Sequence, residues 1–100
     1  MTIFSKRLKQ ARKAMGISQE QLGIEAGLEP ASASARMNQY EKGVHEPGVQ
    51  TVQQIAGVLG LPLAYFYCED DDSARLLKGF HALKKADRKK AIEFVEGLDS

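Results

Sequence analysis

One hundred residues, of which 43% are hydrophobic and 27% are charged, suit a single folded domain with at most a small appendage and exclude a disordered chain. The formal net charge of +1 lacks the strong excess of Lys and Arg found in many nucleic-acid-binding proteins. No apolar run approaches the ~20 residues that span a bilayer, and the first residues lack the apolar segment of a signal peptide, so we expect a cytoplasmic protein with no membrane partner.

Charge is distributed unevenly along the chain. Residues 1–42 contain seven Lys or Arg and four Glu, a net charge of +3. The segment Glu69–Asp72 is entirely acidic, whereas Lys84–Lys90 is strongly basic. A basic first half is compatible with a surface that faces phosphates, although the same charge is common on any solvated surface. The basic run can be a second phosphate-binding patch or a solvated helix corner.

The first predicted helix begins after Thr2, whose side chain can cap it, and ends at Gly16, a residue type that favours helix termination. Apolar residues recur within it at spacings of four and three, which places them on one face. This face consists of Phe4, Leu8, Ala11 and Met15. We therefore expect the helix to bury this stripe against the rest of the domain.

A second, shorter helix is predicted from Ser18 to Gly27. Ser18 and Gln21 have the spacing of a capping box, in which two residues satisfy each other's backbone N–H groups. Gly23 is unusual inside this helix, because glycine costs roughly 1 kcal/mol relative to alanine in a helix interior. The glycine predicts close approach of a neighbouring helix.

A third helix is predicted in the segment ASASARMNQYEK, residues 31–42, after a connector that contains Pro30. Ala33, Met37 and Tyr40 recur at i, i+4 and i+7 and form its inward face. Gly43 ends it. The opposite side presents polar side chains, and on composition alone this pattern also fits an ordinary solvated helix.

The remainder of the first 67 residues is also predicted to be helical. An apolar-striped helix runs from about Val49 to Leu59 and ends at Gly60. A short helical turn follows at Leu63–Tyr67, with Pro62 at a position that tolerates proline. No strand pattern occurs before residue 68, so residues 1–67 are predicted to form a five-helix unit.

An extension at residues 68–100 is predicted to form a helical hairpin, which makes the whole chain all-α. Acidic residues 69–72 are expected to cap and charge the start of a helix from about Ser73 to Lys84. Asp87 is expected to cap a last helix that ends near Leu98. The side chains expected to face inward are Leu76, Leu77, Phe80, Leu83, Ala91, Val95 and Leu98.

The ordered motifs in residues 3–67 resemble the Cro/repressor-type helix-turn-helix family, the XRE-type regulators. The family pattern has an arginine in the first helix and a glycine after it, then Ser-Gln-x-x-Leu, Ala-Gly, a Glu-x-Gly that ends the recognition helix, a proline and a closing Leu-Gly. The corresponding residues here are Arg12, Gly16, Ser18, Gln19, Leu22, Ala26, Gly27, Glu41, Gly43, Pro47, Leu59 and Gly60. The resemblance implies a five-helix lambda-repressor-like DNA-binding domain at residues 1–67.

The chain departs from the family pattern before the recognition-helix glutamate. Family members usually have about ten residues between the turn glycine and this glutamate, whereas Gly27 to Glu41 spans fourteen. Either the turn is longer or the recognition helix starts about one turn earlier, and the alanine-rich sequence favours the second interpretation. Gly23 also replaces the usual alanine.

The resemblance implies that the helix around Ser32–Lys42 enters the major groove of double-stranded DNA. Its exposed side chains are then expected to meet base edges, where Asn and Gln pair with adenine, Arg pairs with guanine, and Ser and Ala permit close approach. The candidate residues on this face are Ser34, Ala35, Arg36, Asn38, Gln39 and Lys42.

Further positions of the family pattern fall outside that face. Ser18 and Gln19 match positions where the preceding helix meets a phosphate and braces the recognition helix, although both residues can instead serve only as caps. Lys42 and His45 are expected near another phosphate. Arg12 and Glu41 match a pair that forms a structural salt bridge between the first helix and the recognition helix.

The predicted function is a sequence-specific DNA-binding transcriptional regulator, a repressor, that acts as a homodimer because one module contacts only a few base pairs. The extension at residues 68–100 is the candidate dimerisation element or a cover for the core. The alternative is an antitoxin-like or other protein-interaction module with the same fold and a partner surface at residues 61–98. That alternative predicts an exposed apolar patch among Leu76, Phe80, Phe94 and Val95.

The sequence contains no pattern that indicates catalysis. No nucleophile–base spacing, metal-ligand cluster or glycine-rich phosphate loop is present, so we expect no enzyme activity, cofactor, metal or small-molecule ligand. Cys68 is the single cysteine, which precludes an internal disulfide, and no motif marks it as a nucleophile or ligand.

Overall fold

Six α-helices and one 3₁₀ helix account for most of residues 1–98, the part of the chain described by the computed structural model. The elements are α1 (Ile3–Met15), α2 (Gln19–Glu25), α3 (Ala33–Lys42), α4 (Val49–Leu59), the 3₁₀ helix (Leu63–Tyr67), α5 (Asp71–His81) and α6 (Lys85–Gly97). No strand occurs in residues 1–98, so the predicted all-α class is confirmed. The last two residues of the predicted extension, 99–100, lie outside the described residues.

Local hydrogen bonds explain where α1 begins and ends. The Thr2 hydroxyl accepts the backbone N–H of Ser5 at 3.0 Å, which caps the first turn. Gly16 closes the helix in the left-handed region at φ 77°, and its N–H donates to the Arg12 carbonyl. Both predicted ends are therefore confirmed. Met15 was expected in the buried stripe and is instead half exposed, because α1 extends past the core at this end.

The core lies where α1 to α4 and the 3₁₀ helix converge. Its fully buried side chains come from each of these elements, and Phe4 of α1 lies with its ring centroid 5.9 Å from that of Phe66. The residues with no measurable exposure include Leu8, Leu22, Ala33, Met37, Val52, Ile55 and Phe66. Within residues 1–98 no helix is both long enough and apolar enough to cross a membrane.

Gly23 marks the crossing of α2 and α3. A Cβ at this position would lie 2.9 Å from the Cβ of Ala33, closer than real Cβ contacts come, and 3.1 Å from its carbonyl oxygen, which is tighter than most of them. The predicted close approach is confirmed, and the partner is the first residue of α3. The absence of a side chain at Gly23 therefore sets how closely the two helices of the motif can pack.

The four extra residues lie in the turn between α2 and α3. Gly27 takes φ 95°, and the N–H of Leu28 returns to the Gly23 carbonyl at 2.9 Å, which ends α2. The favoured prediction of an earlier start for α3 is wrong: residues 30–32 form a turn in which the N–H of Ser32 donates to the Glu29 carbonyl at 3.0 Å, and α3 begins at Ala33. Burial of Leu28 holds this longer turn against the core.

Arg7 attaches the C-terminal extension to α1. Its side chain is 2–3% exposed, and its guanidinium donates to the Cys68 carbonyl at 2.9 Å and to the Asp71 carboxylate at 2.8 Å. The Asp70 carboxylate accepts the N–H of Ser73 at 2.9 Å and caps α5, as the acidic segment predicted. The helix nevertheless begins at Asp71, two residues before the expected start, because Asp70 and not a later residue is the cap.

The last helix, α6, lies beside α5 across an open groove and packs against it more loosely than the predicted hairpin. It begins at Lys85, and Asp87 lies in its first turn, so the prediction that Asp87 caps it is wrong. The helix has no buried residue and packs extensively against no other helix of residues 1–98. Val95 and Leu98, which were expected to face inward, are 48% and 69% exposed because α6 diverges from α5. The molecule is correspondingly elongated, at 52 × 26 × 23 Å.

Candidate nucleic-acid interface

The helix α3 has one buried face and one exposed face. Ala33, Met37, Tyr40 and Glu41 are buried, which at 100° per residue leaves the opposite side of the helix in solvent. Ser34, Ala35, Arg36, Gln39 and Lys42 are exposed, and Asn38 is half-buried. The structure therefore brings all six candidate base-facing residues onto the accessible side of one helix, with Arg36 at the flank nearest Tyr40.

Glu41 anchors α3 to α1. Its carboxylate receives two hydrogen bonds from the Arg12 guanidinium, from Nε to one oxygen and from Nη2 to the other at 3.1 Å. Arg12 also donates to the Ile17 carbonyl at 2.9 Å, just beyond the end of α1. The bond to Glu41 raises the pKa of the Arg12 guanidinium, against the opposing effect of burial. This ion pair orients α3 from behind and leaves its outer face free.

Gln19 extends this ion pair towards the exposed face. Its amide nitrogen donates to the Glu41 carboxylate at 3.1 Å and to the Asn38 side-chain oxygen at 3.3 Å. A continuous chain of hydrogen bonds thus runs from Arg12 on α1 through Glu41 and Gln19 to Asn38. Each of the three helices of this region contributes to the orientation of one candidate base-reading side chain.

The direction of these bonds determines what Gln19 and Asn38 can still offer to a ligand. Both N–H groups of the Gln19 amide are used within the protein, so this side chain has only an acceptor left and cannot donate to a phosphate oxygen. Asn38 accepts through its oxygen and keeps both N–H groups of its amide. The structure places Gln19 as a brace for Asn38, whereas the phosphate contact expected of its side chain would require a bond to break.

Arg36 is held by a residue that was predicted only as core. Its Nη2 donates to the Tyr40 hydroxyl at 3.0 Å, one helical turn away. Four of the five guanidinium N–H groups remain free for a ligand, and the guanidinium lies beside the polar face of α3. The i, i+4 spacing of Arg36 and Tyr40 was the sequence signal for this contact. Tyr40 thus contributes its ring to the core and its hydroxyl to the candidate interface.

The remaining candidate residues lie at the two ends of the motif. Ser18 is exposed, and its hydroxyl accepts the N–H of Gln21 at 3.0 Å as the cap of α2. Lys42 is exposed in the last turn of α3, and Gly43 ends the helix at φ 76°. His45 is exposed in the loop that follows. No group of three or more His, Cys, Asp or Glu residues in the described part of the chain is placed to hold a metal ion.

Comparison with known proteins identifies one family model and two relatives that are similar in sequence to this chain. Residues 8–66 match the model of the family HTH_3, described as helix-turn-helix. The chain is 31% identical over 61 residues to an uncharacterized HTH-type transcriptional regulator of Sinorhizobium medicae (strain WSM419), and equally to one of Rhizobium meliloti (strain 1021). Each match covers 61% of this chain and 41% of the relative, so the chain spans about two fifths of the length of these proteins.

A solved structure is similar over nearly the whole chain. The crystal structure of the transcriptional regulator BswR superimposes with a TM-score of 0.86 and 44% sequence identity. The match covers 93% of this chain and 92% of that one. The similarity therefore includes α5 and most of α6 as well as the helices that carry the candidate interface.

Proposed function

The chain belongs to the helix-turn-helix family HTH_3, and we propose that this DNA-binding transcriptional regulator is a repressor that reads the major groove with α3 as a homodimer. The observation that carries the proposal is the exposed polar face of α3, on which Asn38 is oriented from behind by the Arg12–Glu41–Gln19–Asn38 chain of hydrogen bonds and Arg36 by the Tyr40 hydroxyl. Side chains held in this way lose little conformational freedom when they meet a ligand.

The chemistry of the α3 face matches the base edges of the major groove. Gln39 can pair with adenine through an acceptor and a donor, Asn38 can donate its amide N–H groups to a base acceptor such as adenine N7, and Arg36 can pair with guanine. Ser34 and Ala35 are small and let the start of α3 lie close to the bases. The fixed orientation of the Asn38 oxygen towards Gln19 leaves its amide nitrogen as the first group to meet a base.

Phosphate contacts are assigned to the ends of the motif. Lys42 lies at the C-terminal end of α3 and His45 lies in the loop after it, whereas Ser18 lies at the start of α2. Such contacts fix the register of a protein on the duplex without reading sequence. We assign Gln19 to the bracing of Asn38, because its amide N–H groups are already used.

Two copies are needed because one α3 covers few base pairs. A dimer with a two-fold axis reads two half-sites about one helical turn apart and gains specificity from both. Occupation of such a site excludes other proteins from the same DNA, which is the simplest way for a small DNA-binding protein to repress transcription.

Selection from random duplexes followed by footprinting tests this proposal. We expect recovery of a palindrome whose half-sites are about 10 base pairs apart. Asn38→Ala and Gln39→Ala are expected to lose the selected sequence, whereas Gln21→Ala, an exposed change on α2, retains it. A lack of enrichment, together with DNA retardation that disappears at moderate salt, would exclude a sequence-specific regulator.

One observation favours the second candidate function, a protein-interaction module. Leu76 and Phe94 are 59% and 68% exposed, and Val95 is nearly half exposed, which is the apolar patch expected of a partner-binding surface. If the chain is a partner-binding module, we expect the selection to enrich no palindrome and Gln39→Ala to leave partner binding unchanged. A DNA-binding dimer uses the same patch between its two copies, so the selection experiment separates the two functions.

A further inference from the structure

The two C-terminal helices form the sides of an open apolar groove. A cavity of about 270 Å³ lies between them, lined by Leu76, Leu77 and Phe80 of α5 and by Ala91, Ile92 and Val95 of α6. Glu96 lies at its rim. Phe94 and Leu98 continue the apolar surface of α6 beyond the groove.

Arg88 joins α6 to the end of α5 at the closed end of the groove. Its guanidinium donates to the carbonyl of Phe80 at 3.2 Å and to that of His81 at 2.7 Å, which satisfies the last carbonyls of α5. The same guanidinium lies 5.3 Å from the centroid of the Phe80 ring. Both helices are thus fixed at their junction and diverge from it, so the apolar groove is preformed.

The exposed apolar surface of α6 requires a partner. A helix of 13 residues with no buried side chain is marginal in water, where isolated helices shorter than about 12–15 residues are barely stable. Five large apolar side chains of the two helices and the turn after α6, those of Leu76, Ile92, Phe94, Val95 and Leu98, are between 46% and 69% exposed. A typical specific interface buries ~800 Å² on each partner, and large apolar side chains are the main source of such buried area.

Charge on α6 indicates which partner fits. Lys85, Lys89, Glu93 and Glu96 recur at spacings of four, four and three, which forms one stripe beside the groove. All four are exposed, and none belongs to an ion pair within residues 1–98. The stripe is basic before Ala91 and acidic after it. A second copy of the same helix in the opposite direction matches basic to acidic on both sides.

We propose that the occupant of the groove is α6 of a second copy of this chain, antiparallel to the first, with the two-fold axis near Ala91. This register places Lys89 opposite Glu93 of the second copy and Lys85 opposite its Glu96. Ala91 lies at the crossing, where a small side chain permits close approach, and Ile92 and Val95 fill the groove of the other copy. The inference deepens the proposed function, because it rests on a dimer with a two-fold axis and names its interface.

Charge reversal in the full chain tests the pairing. Lys85→Glu/Lys89→Glu makes the stripe wholly acidic, and Glu93→Lys/Glu96→Lys makes it wholly basic. We expect each variant alone to dimerise at least about tenfold more weakly than the native chain in sedimentation equilibrium, because like charges then face each other across the axis. An equimolar mixture of the two variants is expected to recover native affinity as a heterodimer.

Lys90→Glu is the matched control, because Lys90 lies on the side of α6 away from the groove. It is expected to leave the dimer unchanged. Circular dichroism and the melting temperature establish that each variant is folded. The inference would be overturned by a native chain that remains monomeric at 100 times the protein concentration used in the sedimentation experiment. It would also be overturned by reversed variants that dimerise as strongly as the native chain.

A cross-link tests the direction and register independently of the charge variants. In a Cys68→Ser background, Ala91→Cys is expected to form an intermolecular disulfide on mild oxidation, since it lies at the axis. Lys85→Cys is expected to form none, because the two copies of residue 85 are then separated by about 18 Å along the helices. Equal cross-linking at both positions would indicate a parallel pair and contradict the proposal.

Both measurements are made without DNA, which separates this inference from the proposed function. If the chain recovers a palindrome from random duplexes but its α6 variants all dimerise normally, the proposed function holds and this interface is excluded. Conversely, an antiparallel α6 dimer that enriches no sequence would retain the interface and exclude the proposed function.

Discussion

Glu41 links three helices behind the exposed face of α3. It is 4% exposed, and its carboxylate accepts from Arg12 twice and from Gln19 once. A buried carboxylate is tolerable only when its charge is paired and its oxygens are hydrogen-bonded, and here both conditions hold. The same three contacts join α1, α2 and α3, so Glu41 helps to fix the position of the exposed face.

Glu41→Ala is expected to lower the free energy of unfolding by about 2–4 kcal/mol, because it leaves the Arg12 guanidinium partly buried without its partner. Operator affinity should fall as well, since Gln19 then loses one of the two contacts that position it beside Asn38. Urea unfolding and fluorescence anisotropy measure the two effects. Glu25→Ala, an exposed change on α2, should stay within about 0.5 kcal/mol of the native chain. Native stability for Glu41→Ala would show that the ion pair contributes nothing.

Not every contact at the interface was accessible to sequence reasoning. The resemblance to a family pattern paired Arg12 with Glu41, and the i, i+4 spacing was available for Arg36 and Tyr40. The bond from Gln19 to Asn38 joins residues nineteen positions apart on different helices. Its existence depends on the angle at which α2 crosses α3, and neither periodicity nor composition specifies that angle.

At the scale of the elements, the crossing of α2 and α3 is set by the missing side chain of Gly23. Gly23→Ala adds a methyl group 2.9 Å from the Ala33 Cβ and is expected to destabilise the protein by about 1–3 kcal/mol, despite the better helix propensity of alanine. Gly57→Ala is the matched control, because it lies within α4 with no atom within 4 Å of the added group. It should stabilise by up to about 1 kcal/mol.

Thermal melting distinguishes these opposite signs. Gly23→Ala/Ala33→Gly should recover part of the loss, because it removes the methyl group that the new one would meet. If Gly23→Ala melted at the same temperature as the native chain or higher, α2 and α3 could move apart at no cost in stability. Their crossing would then not be fixed by this glycine.

The junction of α1 and α5 is expected to weaken in acid. Hydrogen bonds from Arg7 to Asp71 and from Ser73 to Asp70 hold the pKa of both carboxyls below the ordinary value of about 3.9. The folded state therefore binds fewer protons than the unfolded state, and the stability that these groups contribute is present above about pH 4 and lost as the pH falls through their folded pKa values.

Asp70→Asn/Asp71→Asn tests this junction. The variant should unfold at lower urea concentration than the native chain at neutral pH, and the two midpoints should converge near pH 2, where the native carboxyls are protonated as well. Asp72→Asn is the control, since Asp72 lies 3.9 Å from Arg75 with both side chains more than four fifths exposed. A constant difference from pH 7 to pH 2 would contradict the assignment.

Helix ends were the most predictable part of the fold. Three helices, α1, α3 and α4, end at a glycine in the left-handed region, where glycine is favoured over every other residue: Gly16, Gly43 and Gly60. The glycine itself therefore marks each of these ends in the sequence. The turn before α3 was not predictable in this way, because the burial of Leu28 competes with the helix propensity of the neighbouring alanines. Tertiary packing decided that competition.

At the scale of the whole molecule, the divergence of α6 escaped prediction for a related reason. An apolar stripe specifies that a helix will be covered, but not whether the cover belongs to the same chain. The radius of gyration of 15.0 Å exceeds the ~13 Å of an ordinary 100-residue domain, because α6 extends away from the core. The sequence therefore left open whether the extension covers the core of its own chain or meets a second copy, and the exposed apolar side chains of α6 favour the second.

Positive charge on the exposed face of α3, the proposed DNA-binding surface, is sparse for a nucleic-acid-binding protein. Of the basic residues in the first 42, Arg7 is committed to Asp71 and Arg12 to Glu41, and neither is available to phosphates. Arg36 and Lys42 are the exposed cations of α3. We therefore expect operator binding to rely less on counterion release than in strongly basic regulators, and more on the polar side chains that we propose to meet the bases.

The salt dependence of operator binding separates these two contributions. Lys42→Gln should reduce the slope of log K against log [salt] by about 2 in a dimer, because one phosphate contact is lost in each copy, and it should weaken operator and unrelated duplex equally. Gln39→Ala should keep the slope and lower the preference for the operator by roughly 1–3 kcal/mol for each base pair read. Fluorescence anisotropy between about 50 and 300 mM KCl on both duplexes measures each quantity. If Gln39→Ala instead changed the salt slope and Lys42→Gln changed the preference for the operator, Gln39 would contact phosphate and Lys42 would read the bases. That outcome would contradict the proposed orientation of α3 in the groove.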